Sequence, residues 1–411
     1  MGSSTSHERL KACTFAAVML VALVCFCPAA NADLTQGIRL GAMTLAPSVQ
    51  LAMRFSDNVY FVPQDFKPID ETVVPQSKES DMILNAVAGL KLATAVPSFD
   101  AELGYELYND YYMGMDDPNE GHDKLNAVNH TISGGLGYQA PVGLFLRLTD
   151  SFLIQQAFTQ SEQFVDYLQG EQNHNEGRLF LGYRQGPYSN LYLHGVYTNT
   201  WDTYRRRDIY DRMIHRGEME FRFKFLPRTA LLVNGGGGMS NNPNFPDFNA
   251  TMYYGTGGIR GQITEYLLLT VLGGYAMYDF AANENYQNYL AKAELGAQWG
   301  MTTKAALGYD HRVAFATDTN FFVTDEIYLR FNRLWFSRLI STLWASYQIN
   351  GFSEPVSRDE TFIQGRADLT YKILFWLYAG AGYSFEEKVQ ADPADFTTIR
   401  HVGTLRAIVK F

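Results

Sequence analysis

The sequence has little cysteine, and it has no long apolar run outside its first residues. All three cysteines, Cys13, Cys25 and Cys27, lie near the N-terminus of the 411-residue chain. The rest of the chain therefore has no thiol for a disulfide or for a thiolate metal site. Beyond residue 32, no apolar stretch reaches the roughly 20 residues that a membrane-spanning helix needs, and no segment has the apolar period of a helix. These absences exclude a disulfide scaffold and a helical membrane protein.

The N-terminus has the features of an export signal. Arg9 and Lys11 precede an apolar run over residues 12–26, and Ala30-Asn31-Ala32 then provides a small-x-small cleavage site. This pattern predicts a cleaved signal peptide at residues 1–32 and an exported mature protein. A retained membrane anchor is the alternative.

The charge balance argues against one class of partner. The chain has 33 basic and 43 acidic residues and a net charge of −10. Removing Glu8, Arg9 and Lys11 with the predicted signal leaves 31 basic and 42 acidic residues, a net charge of −11. So acidic a protein is a poor candidate for binding nucleic acid.

Turn residues divide the chain into about eighteen strand-like segments from Pro47 onward. Aromatic residues make up 14% of the sequence and there are 35 glycines, which suits strands that alternate between an apolar and a polar side. The connections between the segments alternate strictly between short and long. The short connections contain Pro, Gly or other turn residues: Ala95-Val96-Pro97, Gln139-Ala140-Pro141, Gln185-Gly186-Pro187-Tyr188, Leu226-Pro227-Arg228, Gln262-Ile263-Thr264, Gly300-Met301, Arg333-Leu334 and Ile373-Leu374.

Alternating connection lengths are typical of a transmembrane barrel with short periplasmic turns and long external loops. We therefore predict an all-β fold, a transmembrane antiparallel up-and-down β-barrel of about 18 strands, with 16–20 allowed. A short periplasmic segment at residues 33–46 would precede a barrel over residues 47–411. Val62–Glu79 and Phe158–His174 are the longest loops and the predicted pore constrictions. A large soluble all-β protein is the alternative.

Within the segments, apolar and charged residues alternate with the period of a strand. In the segment Glu218–Phe225, the residues Met219, Phe221, Phe223 and Phe225 oppose a charged set. Successive side chains of a strand point to opposite faces of the sheet. A bilayer would cover the apolar face, and closing the sheet would satisfy the edge hydrogen bonds that lipid leaves unpaired.

Both ends of the predicted barrel resemble outer-membrane proteins. The last strand, residues 398–411, ends on Phe411, with Leu405, Ala407 and Val409 on the same face, and the first strand ends on Asp57-Asn58-Val59-Tyr60. Together they resemble the β-barrel porins of the second type and related bacterial outer-membrane barrels. The resemblance implies a Gram-negative outer-membrane location, contact with lipid and lipopolysaccharide, and recognition of Phe411 by the insertion machinery. It implies passage of a solute or a polysaccharide, and it carries over no catalytic residue or cofactor.

The face opposite the apolar one predicts the wall of a pore. The basic residues on that face outnumber the acidic ones. Arg216, Lys304, Arg312 and Lys410 are counted among the basic residues, in addition to the basic ones predicted to line the pore. A basic pore would concentrate small anions; in the alternative interpretation, the charges pair across strands and hold a plugged barrel together. The predicted pore-lining residues are Arg54, Lys91, Arg147, Arg178, Arg184, Arg222, Lys224, Arg260, Lys292, Arg330, Arg366, Lys372, Arg406, Asp100, Glu102, Glu106, Glu220, Glu294, Glu326 and Asp368.

The sequence offers no convincing catalytic site. His130 and Ser133 are three residues apart, which places them on opposite faces of a strand, and Asp116-Asp117 with His122 is interpreted as an acidic loop. The run Gly235–Gly238 lacks the lysine of a phosphate loop and predicts a bend or a close approach. We therefore predict a porin-like channel for small hydrophilic solutes. The alternatives are an export conduit or anchor in a surface-polysaccharide system, and a membrane-embedded hydrolase.

Overall fold

Most of the described chain is β-strand. A computed structural model describes residues 37–58, 80–113, 127–156, 171–184, 190–204, 211–281, 285–315, 321–353, 357–391 and 396–410. These residues contain one single-turn 3-10 helix, Pro246–Phe248, and nineteen strands: β1 Ile38–Leu40, β2 Met43–Ser56, β3 Asp81–Val96, β4 Phe99–Tyr112, β5 Ala127–Gln139, β6 Leu144–Gln156, β7 Glu171–Arg184, β8 Leu191–Tyr204, β9 Arg212–Leu226, β10 Thr229–Asn241, β11 Ala250–Gln262, β12 Leu267–Phe280, β13 Tyr286–Trp299, β14 Thr303–Phe315, β15 Phe321–Trp335, β16 Leu339–Phe352, β17 Arg358–Lys372, β18 Leu377–Ala391 and β19 Phe396–Lys410.

The strands close into a barrel. Each strand from β2 to β18 pairs antiparallel with the next, and β19 pairs with β2 from Val402↔Ser56 to Lys410↔Ser48. Eighteen strands therefore form the closed wall. The short strand β1 pairs antiparallel with only the first residues of β2, from Ile38↔Leu45 to Leu40↔Met43. The predicted fold class and strand number are confirmed. The first barrel strand begins at Met43 rather than at Pro47. No helix in the described ranges is long and apolar enough to cross a membrane.

Seven of the eight predicted short turns lie in the described residues, and one of them is misplaced. Strand β15 continues through Arg333-Leu334 to Trp335, and the turn that follows is formed by Phe336, Ser337 and Arg338. Phe336 and Ser337 have φ values of 51° and 59°, a left-handed pair that usually requires Asn or Gly. The turn has neither residue, which is why the sequence does not reveal it. The predicted turn at residues 185–188 lies outside the described residues, as do most of the predicted constriction loops.

The two faces of the wall differ in chemistry. Large apolar side chains alternate along every barrel strand on one face and remain exposed, for example Leu181, Met219 and Leu405 at 51%, 60% and 63%. Most charged side chains of the same strands lie on the other face; Asp325 and Arg333 of β15 are exceptions that share the outer face with Ile327 and Leu329. Because the sheet is closed, the first face is the outside of the barrel and the second is its interior. We call the end with the short turns the tight-turn end and the opposite one the loop end.

The apolar outer surface becomes polar towards the loop end. There, three outward-facing tyrosines each pair with a histidine of the next strand, with hydroxyl-to-Nδ1 distances of 2.7–2.9 Å. Amphipathic rings of this kind are favoured where an apolar layer meets water. These pairs lie where the apolar outer surface begins to include polar side chains on the way to the loop end. They are Tyr105 with His130, Tyr197 with His215, and Tyr383 with His401.

Candidate functional site

All twenty predicted pore-lining residues lie on the inward face. The strand period sets this placement: in β9, the exposed Met219, Phe221 and Phe223 alternate with Glu220 and Arg222. The strand registers carry the same alternation around the barrel without a break that would exchange the faces. The candidate site is therefore the interior wall, and its chemistry depends on how these charges are paired.

Most of the acidic residues of the wall are paired with a cation. Glu102 contacts both Lys91 and Arg147, at 2.6 and 2.8 Å, and Arg147 also reaches Asp100 at 3.7 Å. Arg54 of β2 reaches Asp110 of β4 at 2.6 Å, across the intervening strand. Side chains of next-but-one strands converge on the concave side of a curved sheet, so this contact agrees with an inward direction for Arg54 and Asp110.

Further pairs and clusters follow the wall. Asp368 of β17 contacts Arg366 on its own strand at 2.5 Å and Arg406 of β19 at 3.2 Å. Glu294 accepts a hydrogen bond from the Tyr328 hydroxyl, at 2.5 Å. Two further pairs join neighbouring strands, Lys292 with Asp310 and Arg312 with Glu326. Three more lie within one strand: Arg178 with Glu176, Arg222 with Glu220, and Arg312 with Asp310.

Five cations at the tight-turn end differ from the rest of the wall. Each lies within three residues of a strand end, and within the described ranges none of them forms an ion pair. Arg330, further from the end, likewise has no ion pair there, and its guanidinium lies 4.4 Å from the centre of the Tyr328 ring. We call the five residues the basic rim: Lys224, Arg260, Lys304, Lys372 and Lys410.

The loop end of the wall holds charges that sequence reasoning missed. Glu360 is 1% exposed and its Oε1 atom contacts Arg358 Nε at 2.7 Å and Lys388 Nζ at 2.8 Å. Arg400 of β19 pairs with Glu386 of β18. The sequence predicts long external loops at Gly351–Ser357 and Glu387–Phe396, but strands β16, β18 and β19 extend into these ranges. Because these strands are polar at the loop end, the alternation that would have revealed them fades there.

The candidate catalytic residues are not brought together. His130 faces outward and contacts Tyr105, and Ser133, three residues on, faces inward, as the strand period predicts. His122 lies outside the described residues. Within the described ranges, no group of three His, Cys, Asp or Glu residues is arranged to hold a metal ion. A Cβ atom on Gly236 would lie 2.5 Å from the carbonyl oxygen of Gly217, so the glycine run lets β10 approach β9 closely.

The fold is shared with known proteins although the sequence is not. No protein-family model matches the chain, and no curated protein is significantly similar to it. OccAB3 of Acinetobacter baumannii is 11% identical with a TM-score of 0.50, over 90% of this chain and 100% of that one. OpdK of Pseudomonas aeruginosa, solved with vanillate, is 10% identical with a TM-score of 0.48, over 89% and 99%. The siderophore receptor PirA of Pseudomonas aeruginosa is 9% identical with a TM-score of 0.46, over 89% and 80%.

At these identities, the likeness concerns the fold alone. The resemblance to porin-type barrels that the sequence predicts is confirmed to that extent: this chain and OccAB3 share the fold of a closed antiparallel barrel, which has eighteen strands here.

Proposed function

We propose that this protein is a channel in a Gram-negative outer membrane for the passive diffusion of small hydrophilic solutes, with a preference for anions. The exposed apolar surface on every strand would face lipid, where a closed barrel leaves no backbone group unpaired. Barrels of 16–18 strands generally enclose an aqueous channel. Export by the predicted signal peptide and assembly by the insertion machinery, through Phe411, belong to this proposal. Phe411 itself lies outside the described residues.

The observation that carries the anion preference is the basic rim. Elsewhere on the inward face, carboxylates largely neutralise the cations, so those charges stabilise the wall more than they attract solutes. The rim lysines and Arg260 are mostly exposed and are not neutralised by an ion pair within the described residues. Unpaired charge of one sign, lining a pore in a wall of low dielectric constant, concentrates ions of the opposite sign.

Neutralising the basic rim is expected to remove most of the anion preference. In planar bilayers under a KCl gradient, the wild-type reversal potential should favour chloride. The variant K224Q/R260Q/K304Q/K372Q/K410Q should lower the chloride-to-potassium permeability ratio by about threefold or more at about 0.1 M salt, where screening is moderate. The matched control K292Q/D310N removes a cation together with its carboxylate and should leave the ratio unchanged. A cation-selective wild-type channel, or a folded barrel without conductance, would contradict the proposal.

A further inference from the structure

Four rings lie side by side on the inward wall of β6, β7 and β8. Phe145 and Phe180 are stacked with ring centres 5.2 Å apart, and Phe145 and Tyr192 are stacked at 5.9 Å. His194 lies 5.0 Å from Phe180 and 5.1 Å from Tyr192. All four side chains are half-buried, so they pack against one another and still present apolar surface to the interior. We call Phe145, Phe180, Tyr192 and His194 the aromatic patch.

A glycine makes room for the patch. Gly182 of β7 pairs with Phe145 on one side and with His194 on the other. A Cβ atom at Gly182 would overlap the ring of Phe145. The ring therefore lies flat over the glycine, in contact with its neighbours, instead of standing out into the interior. Glycine in the middle of a strand often marks such a close approach.

Guanidinium groups surround the patch. Arg222 lies over the Tyr192 ring, 5.3 Å from its centre, and a pocket of about 680 Å³ is lined by Phe145, Tyr192, Arg147 and Arg184. That size is typical of a site for a small organic molecule. The charged groups around the patch include four carboxylates, Asp100, Glu102, Glu218 and Glu220, and five cations, Lys91, Arg147, Arg184, Arg222 and Lys224.

We propose that the aromatic patch and its guanidinium groups form a binding subsite for small anions that contain a ring. The ring of the solute would pack against the parts of Phe145, Phe180 and Tyr192 that remain exposed. Such contacts favour flat apolar molecules. Its anionic group would be held by arginines, whose planar forks suit carboxylates and retain unused donors when already paired. This inference deepens the proposed channel function, because a solute must enter the interior to reach the subsite.

The opposite part of the tight-turn end has cations without stacked rings. There a second pocket is lined by Lys304, Arg330 and Glu294, with Leu268 and Ala306 as its inward apolar neighbours. It offers comparable charge without a stack of rings. It therefore serves as an internal control for anion binding that does not depend on stacking.

Three probes separate the two components of recognition. Benzoate has a ring and a carboxylate, acetate has only the carboxylate, and benzyl alcohol has only the ring. Titration calorimetry on the purified barrel in detergent should show that benzoate binds at least about tenfold more tightly than either of the others. Benzoate should likewise interrupt the single-channel current at a lower concentration than acetate or benzyl alcohol does. Equal affinity for benzoate and acetate, or for benzoate and benzyl alcohol, would overturn the inference, as would tighter binding of glucose.

Matched variants locate the site. F145L/F180L keeps the apolar volume and removes two rings, so it should weaken benzoate binding about tenfold and leave acetate unaffected. K304Q/R330Q, in the second pocket, which has no stack of rings, should not change benzoate binding. If F145L/F180L binds benzoate as the wild type does, the inference is wrong. Binding in detergent does not require conduction, so a barrel that conducts without binding benzoate defeats only this inference. A barrel that binds benzoate without conducting defeats only the channel function.

Discussion

Replacing Gly274 with alanine is expected to lower the free energy of unfolding by about 2–3 kcal/mol, the upper range for an added group in a packed site. Gly274 of β12 pairs with Thr256 of β11. A Cβ atom on Gly274 would overlap the carbonyl oxygen of Gly255 and would lie 2.7 Å from both the Cα and the Cγ2 atom of Thr256. Two of these obstacles are backbone atoms of a paired strand, so the side chain cannot be accommodated by a rotamer change alone.

The adjacent residue provides the control. Gly273 belongs to the same strand but points outward, and nothing lies within 4 Å of a Cβ atom built there. G273A should therefore raise the free energy of unfolding slightly, by up to about 0.5–1 kcal/mol, because alanine restricts the unfolded chain more than glycine does. Urea unfolding of the barrel in phospholipid vesicles measures both values. Equal stabilities for G273A and G274A would show that β11 and β12 do not approach so closely.

The sequence predicts the wall of the barrel well because one physical rule governs it. Over most of the wall, each strand has apolar residues outside and charges inside, so alternation reveals both strands and faces, as in Glu218–Phe225. Towards the loop end, polar residues enter the outer face and apolar ones such as Met252, Tyr278 and Phe280 enter the inner face, so the alternation loses contrast. Glu360 and Lys388 are strand residues with inward side chains, yet in sequence they resemble loops.

Pairing could not be derived from the sequence. The contact between Arg54 and Asp110 skips a strand, and its existence depends on the curvature and register of three strands together. The same holds for the aromatic patch, since Phe145 and Phe180 are 35 positions apart and Tyr192 lies on the next strand. A count of the charges on the predicted face indicates a basic interior. Only the ion pairs of the described residues show that the excess positive charge lies in residues such as Lys224 and Lys372.

Removing the carboxylate of Glu360 is expected to have the largest effect on stability, about 3 kcal/mol or more in E360Q, as for other broken buried ion pairs. Arg358 and Lys388 share the Oε1 atom of Glu360, and both Lys388 and Glu360 are at most 2% exposed. Without the carboxylate, the two cations lose the anionic oxygen that they share, at a position where little water can screen them. Charges in such surroundings interact much more strongly than at a surface.

The control for E360Q is E106Q. Glu106 is also on the inward face, but it is exposed and has no ion pair within the described residues, so its neutralisation should change the free energy of unfolding by less than about 0.5 kcal/mol. Both values follow from the urea midpoint in vesicles at unchanged slope. If E360Q lowers the free energy of unfolding as little as E106Q does, the charges around Glu360 are solvated.

A triple substitution distinguishes a stabilising charge cluster from one that is costly to bury. The Arg358 guanidinium lies 3.9 Å from the centre of the Phe352 ring, and Lys388 Nζ lies 5.9 Å from that of Phe362, so apolar side chains would find apolar neighbours. Replacing a buried ion pair or triad with apolar residues of similar volume is often neutral, because the cost of burying the charges disappears together with their attraction. R358M/E360M/K388M should therefore unfold at a higher urea concentration than E360Q. If the triple variant is the less stable of the two, the three charges together stabilise the barrel beyond the cost of burying them.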